Sequence, residues 1–271
     1  MRKIKLLLAI IVLTIIFTSC LQVETTLKVN KDGSGTINEK VLFSKTFVNI
    51  MKDFAQAFQD STATEDFVLF NEEEIIADAK DYGENVEYVS FDKVDDEQWE
   101  GYQAVYSFDD VTKIKLTPDP ESKMELGEEA ASGEKEEEFF FFKFVKGDNP
   151  QLIIDRPEIE LNTETDQSDE SDQTEQSQEE ESEEFLNMME GMKIDVAVEI
   201  EGEIISTNAT YVQGSRVTLF QMDLGEMMKN KEGFKEFKKN EPKNIDEIKL
   251  YLEKLNGIKV EIEKPITINF K

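Results

Sequence analysis

The sequence predicts an α+β fold, in which a mixed or antiparallel sheet carries amphipathic helices, is formed by both ends of the chain and is interrupted by a disordered acidic insert. Three observations predict it. Apolar and polar residues alternate in strand-length runs near both ends of the 271 residues, and apolar stripes at helical spacing separate those runs. Residues 162–184 lose hydrophobic side chains altogether.

Val23, Thr25, Leu27 and Val29 alternate with Gln22, Glu24, Thr26 and Lys28, the period of a half-buried strand. Lys31-Asp32-Gly33-Ser34-Gly35 supplies a turn, and Ile37, Glu39, Val41 and Phe43 continue the alternation on a return strand, so the segment reads as a hairpin. Phe47, Val48, Met51, Phe54, Ala55 and Phe58 then form the apolar stripe of an amphipathic helix. Asn71 with Glu74 three residues on is a capping box that opens a second helix, which Gly83 closes. Strands follow at 86–94 and 99–108, the second with Tyr102, Ala104, Tyr106 and Phe108 on one face. The polar stretch 117–137 reads as a loop. Phe139 to Phe142 with Phe144 reads as a strand buried on both faces, paired with Leu152 to Ile159.

Residues 162–184 hold 11 acids and neither a base nor an aliphatic residue. Such a segment buries too little to offset its ordering entropy, so it is expected to be disordered. Beyond it come a short helix near 185–192 and a strand with Ile194, Val196, Val198 and Ile200 on one face. The alternation continues through 204–208, a Gln213-Gly214-Ser215 turn and 216–222. A lysine-rich amphipathic region, a helix at 245–255 ended by Asn256-Gly257, and alternating runs at 258–262 and 266–270 complete the chain. Strand pairs flank the insert on both sides, which favours one sheet closed by both ends over two independent domains. The expected organisation is a signal peptide over 1–19, a domain in two parts over 20–161 and 185–271, and the insert at 162–184.

The amino terminus points to location. Arg2, Lys3 and Lys5 precede an apolar run from Leu6 to Phe17, the length of a secretory h-region and short for a bilayer span. Phe17-Thr18-Ser19-Cys20 then resembles the lipobox of bacterial lipoproteins, whose cysteine is acylated on sulfur and becomes the mature amino terminus. Cys20 is therefore the expected lipid-attachment residue, and the expected location is the bacterial cell envelope, outside the cytoplasm. It is the only cysteine, so the exported fold rests on its core with no internal disulfide. Apart from the signal there is no apolar stretch long enough to span, which makes the expected membrane contact an anchor of two or three acyl chains.

Sixty acids against 30 bases give a net charge of −30, and the surface repels nucleic acid. Lys229 to Lys243 is the one net basic patch. Lys229, Lys231, Lys235, Lys238 and Lys239 are candidate contacts for phosphate headgroups or for the chain's own acidic insert, against the plainer reading of a solvated helix lying over the core with Phe234 and Phe237.

Catalytic signals are thin. The chain has no histidine, which excludes Ser-His-Asp, Cys-His, histidine-ligated zinc and histidine general-base chemistry. Among 60 acids, pairs such as Asp95-Asp96 and Asp109-Asp110 arise by chance, and no phosphate-binding glycine loop is present. Asn30 to Val41 mimics the start of an EF-hand loop, with Asn30, Asp32 and Ser34 at ligand positions and Gly35 at the turn. Val41 stands where the bidentate glutamate belongs, and a strand precedes it where a helix should, so it reads as a plain hairpin turn with no metal. Asn208-Ala209-Thr210 fits a glycosylation sequon, discounted in a bacterial lipoprotein.

Three segments together resemble the LppM-type domain of bacterial lipoproteins. These are VETTLKVNKDGSGTINEKVLFS just after Cys20, FDDVTKIKL at Phe108 to Leu116, and EIISTNATYVQGSRVTLF at Glu203 to Phe220. The resemblance implies an α+β domain outside the membrane that binds lipid or an envelope component and carries no established enzymology. The expected function is thus a non-enzymatic binding or envelope-assembly module without a cofactor, with a lipid or other apolar ligand. The alternatives are a structural or protein-interaction lipoprotein with a filled core, and a carboxylate-only hydrolase or calcium-binding protein.

Overall fold

The computed structural model describes residues 21–49, 52, 70–118, 139–157, 191–229, 245–252 and 254–271. The signal peptide, Cys20, the helix-stripe residues Met51, Phe54, Ala55 and Phe58, the loop expected over 117–137 beyond residue 118, the acidic insert, the helix expected near 185–192 as far as residue 190, and the patch lysines from Lys231 onward lie outside the described residues.

The expected α+β class is what the chain adopts, and its strands divide between two sheets. The hairpin forms as read: β1 (Leu21–Val29) and β2 (Gly35–Ser44) pair antiparallel from Leu21–Phe43 to Val29–Gly35. β1 and the first seven residues of β2 alternate in burial, one face to the core and one to water, while Val41 to Ser44 are all buried. Residues 45–49 are helical and place Val48 in the core. Asn71 caps α1 (Glu72–Ala77), accepting from the Glu74 N–H at 2.8 Å. A 3-10 helix (Asp78–Tyr82) extends α1 to Gly83, whose φ of +133° only glycine adopts readily. Ile75, Ala79 and Tyr82 turn inward and pack this helix on the core.

Then come β3 (Val86–Asp95), β4 (Trp99–Phe108), a 3-10 turn at Val111–Lys113, β5 (Lys115–Leu116), β6 (Phe140–Val145) and β7 (Gln151–Asp155). Beyond the insert lie β8 (Lys193–Ile200), β9 (Ile204–Thr207), β10 (Val212–Gln213), β11 (Arg216–Asp223), α2 (Leu224–Lys229), α3 (Ile245–Leu252), β12 (Ile258–Val260) and β13 (Ile266–Phe270).

The larger sheet runs β10-β11-β8-β1-β2-β4-β3, with β12 also on β11; the smaller runs β5-β6-β7-β13-β9. Both ends of the chain meet in each. In the larger sheet β1 lies parallel to β8, from Gln22–Lys193 to Val29–Ile200. In the smaller, β13 pairs β7 on one side and β9 on the other. The expectation of a single sheet is refined here: β8 and β9 look like one continuing alternation in sequence, yet they belong to different sheets. The chain crosses between them at Gly202, where φ is +104° and an added Cβ would stand 2.1 Å from the Lys271 carbonyl. Glu203 and Lys271 exchange backbone hydrogen bonds just beyond this crossing.

One hydrophobic cluster spans both sheets, with Leu27, Ile37, Leu152, Ile154, Ile266, Ile268 and Phe270 fully buried. The Phe139–Phe144 run is corrected by the structure. β6 is buried on one face only: Phe140 and Phe142 point inward while Phe141 is 55% exposed. No further layer covers its outer face among the described residues, so an unbroken aromatic run here marks a half-exposed strand. Its pairing with β7 is as expected.

Candidate functional site

Register fixes which residues share an end of the larger sheet. Leu21 opens β1 opposite Phe43, Phe43 lies opposite Glu100, and Ser44 lies opposite Trp99. On the other side of β1, Gln22 faces Lys193, and Lys193 faces Asp223, the last residue of β11. The β3–β4 turn, the start of β8 and the start of α2 therefore cluster at the end where β1 begins. Lys229, the one patch lysine among the described residues, sits at the close of α2, exposed and 2.5 Å from Glu226. The Asn30–Ser34 turn occupies the opposite end.

Several charges at the Leu21 end are already engaged. Lys45 pairs with Asp95 at 2.7 Å, Lys52 with Glu100 at 3.5 Å and Lys193 with Glu24 at 3.0 Å. The Lys45 ammonium holds the exposed Asp95 carboxyl below its usual range by hydrogen bonding and charge. Asp96 accepts from the Gln98 and Trp99 N–H groups, both at 2.8 Å, and Asp223 accepts from the Glu226 N–H at 2.9 Å. These two acids cap a turn and a helix.

A second cluster lies inside. Glu39 occupies a core-facing position of β2, between Thr25 on β1 and Ala104 on β4, and is 2% exposed. The Tyr106 hydroxyl donates to the Ile75 carbonyl at 3.0 Å and lies 3.4 Å from Glu39 Oε2, tying α1 to the sheet. Tyr82 and Tyr102 also face this carboxylate. Burial first, then the Glu39 charge, pushes all three phenols well above the ordinary range. They are protonated donors near neutral pH. Ring centroids for Tyr82–Tyr106, Phe70–Tyr102 and Phe91–Tyr102 stand 5.2, 5.4 and 6.0 Å apart, distances of direct ring packing. The cluster is thus a packed polar pin under α1. Its signal in the sequence is an acid in an inward slot of β2 and two tyrosines in inward slots of β4.

Three of the four suggestive acids of the sequence, Asp95, Asp96 and Asp110, have structural partners. Asp110 caps the 3-10 turn, accepting from the Thr112 N–H at 3.0 Å and its hydroxyl at 2.8 Å, while Asp95 pairs with Lys45. Asn30 to Ser34 is the hairpin turn expected, with Asp32 Oδ1 accepting from the Ser34 N–H at 2.9 Å and hydroxyl at 2.7 Å. Among the described residues no three His, Cys, Asp or Glu side chains are grouped to hold a metal ion. The Asn208 side chain of the sequon accepts from the Thr267 N–H at 2.7 Å and donates to the Pro265 carbonyl at 3.0 Å, bridging β9 to the start of β13. Glu261, 1% exposed, accepts from the N–H groups of Thr210, Ile262 and Glu263, a loop clamp with every visible partner on the backbone or on Thr210.

No helix among the described residues is long and apolar enough to cross a membrane. No family model matches the chain, and no curated protein matches it. Among solved structures it is similar to the folded domain of LppM from Mycobacterium tuberculosis, determined by NMR, at 12% identity over 77% of this chain and 86% of that domain. The TM-score of that superposition is 0.29, which does not establish a common fold.

Proposed function

We propose that the protein is a lipid-anchored lipoprotein of the bacterial cell envelope that acts outside the cytoplasm as a non-enzymatic binding or assembly module. The observation that carries this reading is the junction of lipobox and domain. Cys20 is followed at once by Leu21, which is 5% exposed and already paired in the sheet. Acylation and cleavage at Cys20 would leave β1 whole, since its first residue, Leu21, lies on the mature side of the cleaved bond. Within that role, the fully buried side chains between the two sheets favour recognition at the surface over an enclosed apolar ligand. The absence of histidine and the structural employment of Asp95, Asp96 and Asp110 support a binding role over a catalytic one.

The test is Cys20→Ser in a bacterial host that processes lipoproteins. The variant should leave the membrane fraction and keep the circular dichroism of the parent domain; retention in membranes would sink the lipoprotein reading. Native mass spectrometry of the released domain should find no lipid bound in fixed stoichiometry, and finding one would overturn the preference for a surface site.

A further inference from the structure

We propose that the end of the larger sheet where β1 begins lies in the headgroup layer of the bilayer, with Trp99 in contact with lipid. The proposal rests on the lipid-anchor reading and specifies how the domain stands on its membrane.

The tether has no slack. Consecutive Cα atoms lie about 3.8 Å apart, and Leu21 is held in register against Phe43, so the sheet starts one residue from the acylated cysteine. Trp99 is reached from Leu21 by crossing β2 to β4, two strand spacings of about 4.8 Å each, so it stands roughly 10 Å to the side at the same level. It is half-buried, and the Asp96 cap fixes the turn that presents it. An indole with an apolar body and one N–H donor suits the interface between headgroups and acyl chains. Charge sets the lipid that this placement takes. At this end Lys45, Lys52 and Lys193 each pair with an acid, while Asp96, Glu97 and Asp223 add further acidic side chains, so the placement suits zwitterionic rather than anionic headgroups.

Trp99 is the single tryptophan of the chain, so its own emission reports its position. The full lipidated protein is reconstituted into phosphatidylcholine vesicles with and without a headgroup-nitroxide lipid. Trp99 emission should be largely lost in the nitroxide vesicles. In the double variant Trp99→Phe, Lys31→Trp the reporter moves to the hairpin turn, about 30 Å away along the nine residues of β1, and its emission should be unchanged. Unquenched Trp99 in protein that still floats with the vesicles overturns the orientation while the anchor stands. Equal quenching of both reporters overturns it as well, since the domain would then lie flat. Protein that does not float refutes the anchor itself. Circular dichroism of the double variant, matched to the parent, establishes that the reporter was moved without disturbing the sheet.

Discussion

Alkaline pH should unfold this domain steeply, because the three phenols beside Glu39 keep their protons in the folded state. Burial, and after it the Glu39 charge, holds Tyr82, Tyr102 and Tyr106 well above the ordinary phenol range. In the unfolded chain they titrate at about 10. Below that pH both states are protonated and the stabilisation is complete. Above it the unfolded chain releases protons that the folded one retains, so stability falls as pH rises. Each such proton contributes about 1.4 kcal/mol per pH unit, and three give a slope of about 4 kcal/mol per unit. Against a typical stability of about 10 kcal/mol, the fold should be lost within roughly two to three units above the unfolded phenol value. Urea midpoints from neutral to strongly alkaline pH measure the slope, and phenolate absorbance should lag in the folded protein until it unfolds. Tyr106→Phe isolates one phenol from the lysines that titrate in the same range: it should reduce the slope by about a third. At neutral pH the same change should cost about 1.5–3 kcal/mol, through the lost hydroxyl between the Ile75 carbonyl and Glu39, or roughly 3–12 °C in melting temperature. Parallel alkaline slopes for parent and variant would refute the reasoning.

Gly35→Ala should cost at least about 3 kcal/mol in urea unfolding, because the new Cβ would stand 1.9 Å from the Lys28 carbonyl and 2.7 Å from the Phe108 ring. Millimolar calcium should leave the melting temperature unchanged, whereas a site with a dissociation constant of about 10 µM would add about 2.7 kcal/mol; a rise that disappears in Asp32→Ala would overturn the hairpin assignment. Deleting residues 162–184 should shift the urea midpoint by less than about 1 kcal/mol, since loop closure depends weakly on length, and a variant that fails to fold would make that segment structural.

The sequence by itself determined the elements whose signals are local. Alternation of apolar and polar residues set β1, β2, β4, β8 and β13, the Asn71–Glu74 spacing set the start of α1, and the Asp32-Gly33 turn made the first hairpin, because period, cap and turn chemistry act within a few residues. The inward slot of Glu39 was equally legible, although nothing local says that Tyr82, Tyr102 and Tyr106 converge on it. Tertiary structure decided the rest. Whether β9 continues the sheet of β8 or leaves it depends on a carbonyl of Lys271 that admits only glycine at position 202. Whether β6 is buried on one face or two depends on the absence, among the described residues, of any layer beyond Phe141. That β1 lies beside β8, bringing the start of α2 to the end where the chain enters the sheet, is a pairing between residues some 170 positions apart. Alternation names the face a side chain takes and is silent on the strand that will sit beside it, since every half-buried strand offers the same row of backbone donors and acceptors.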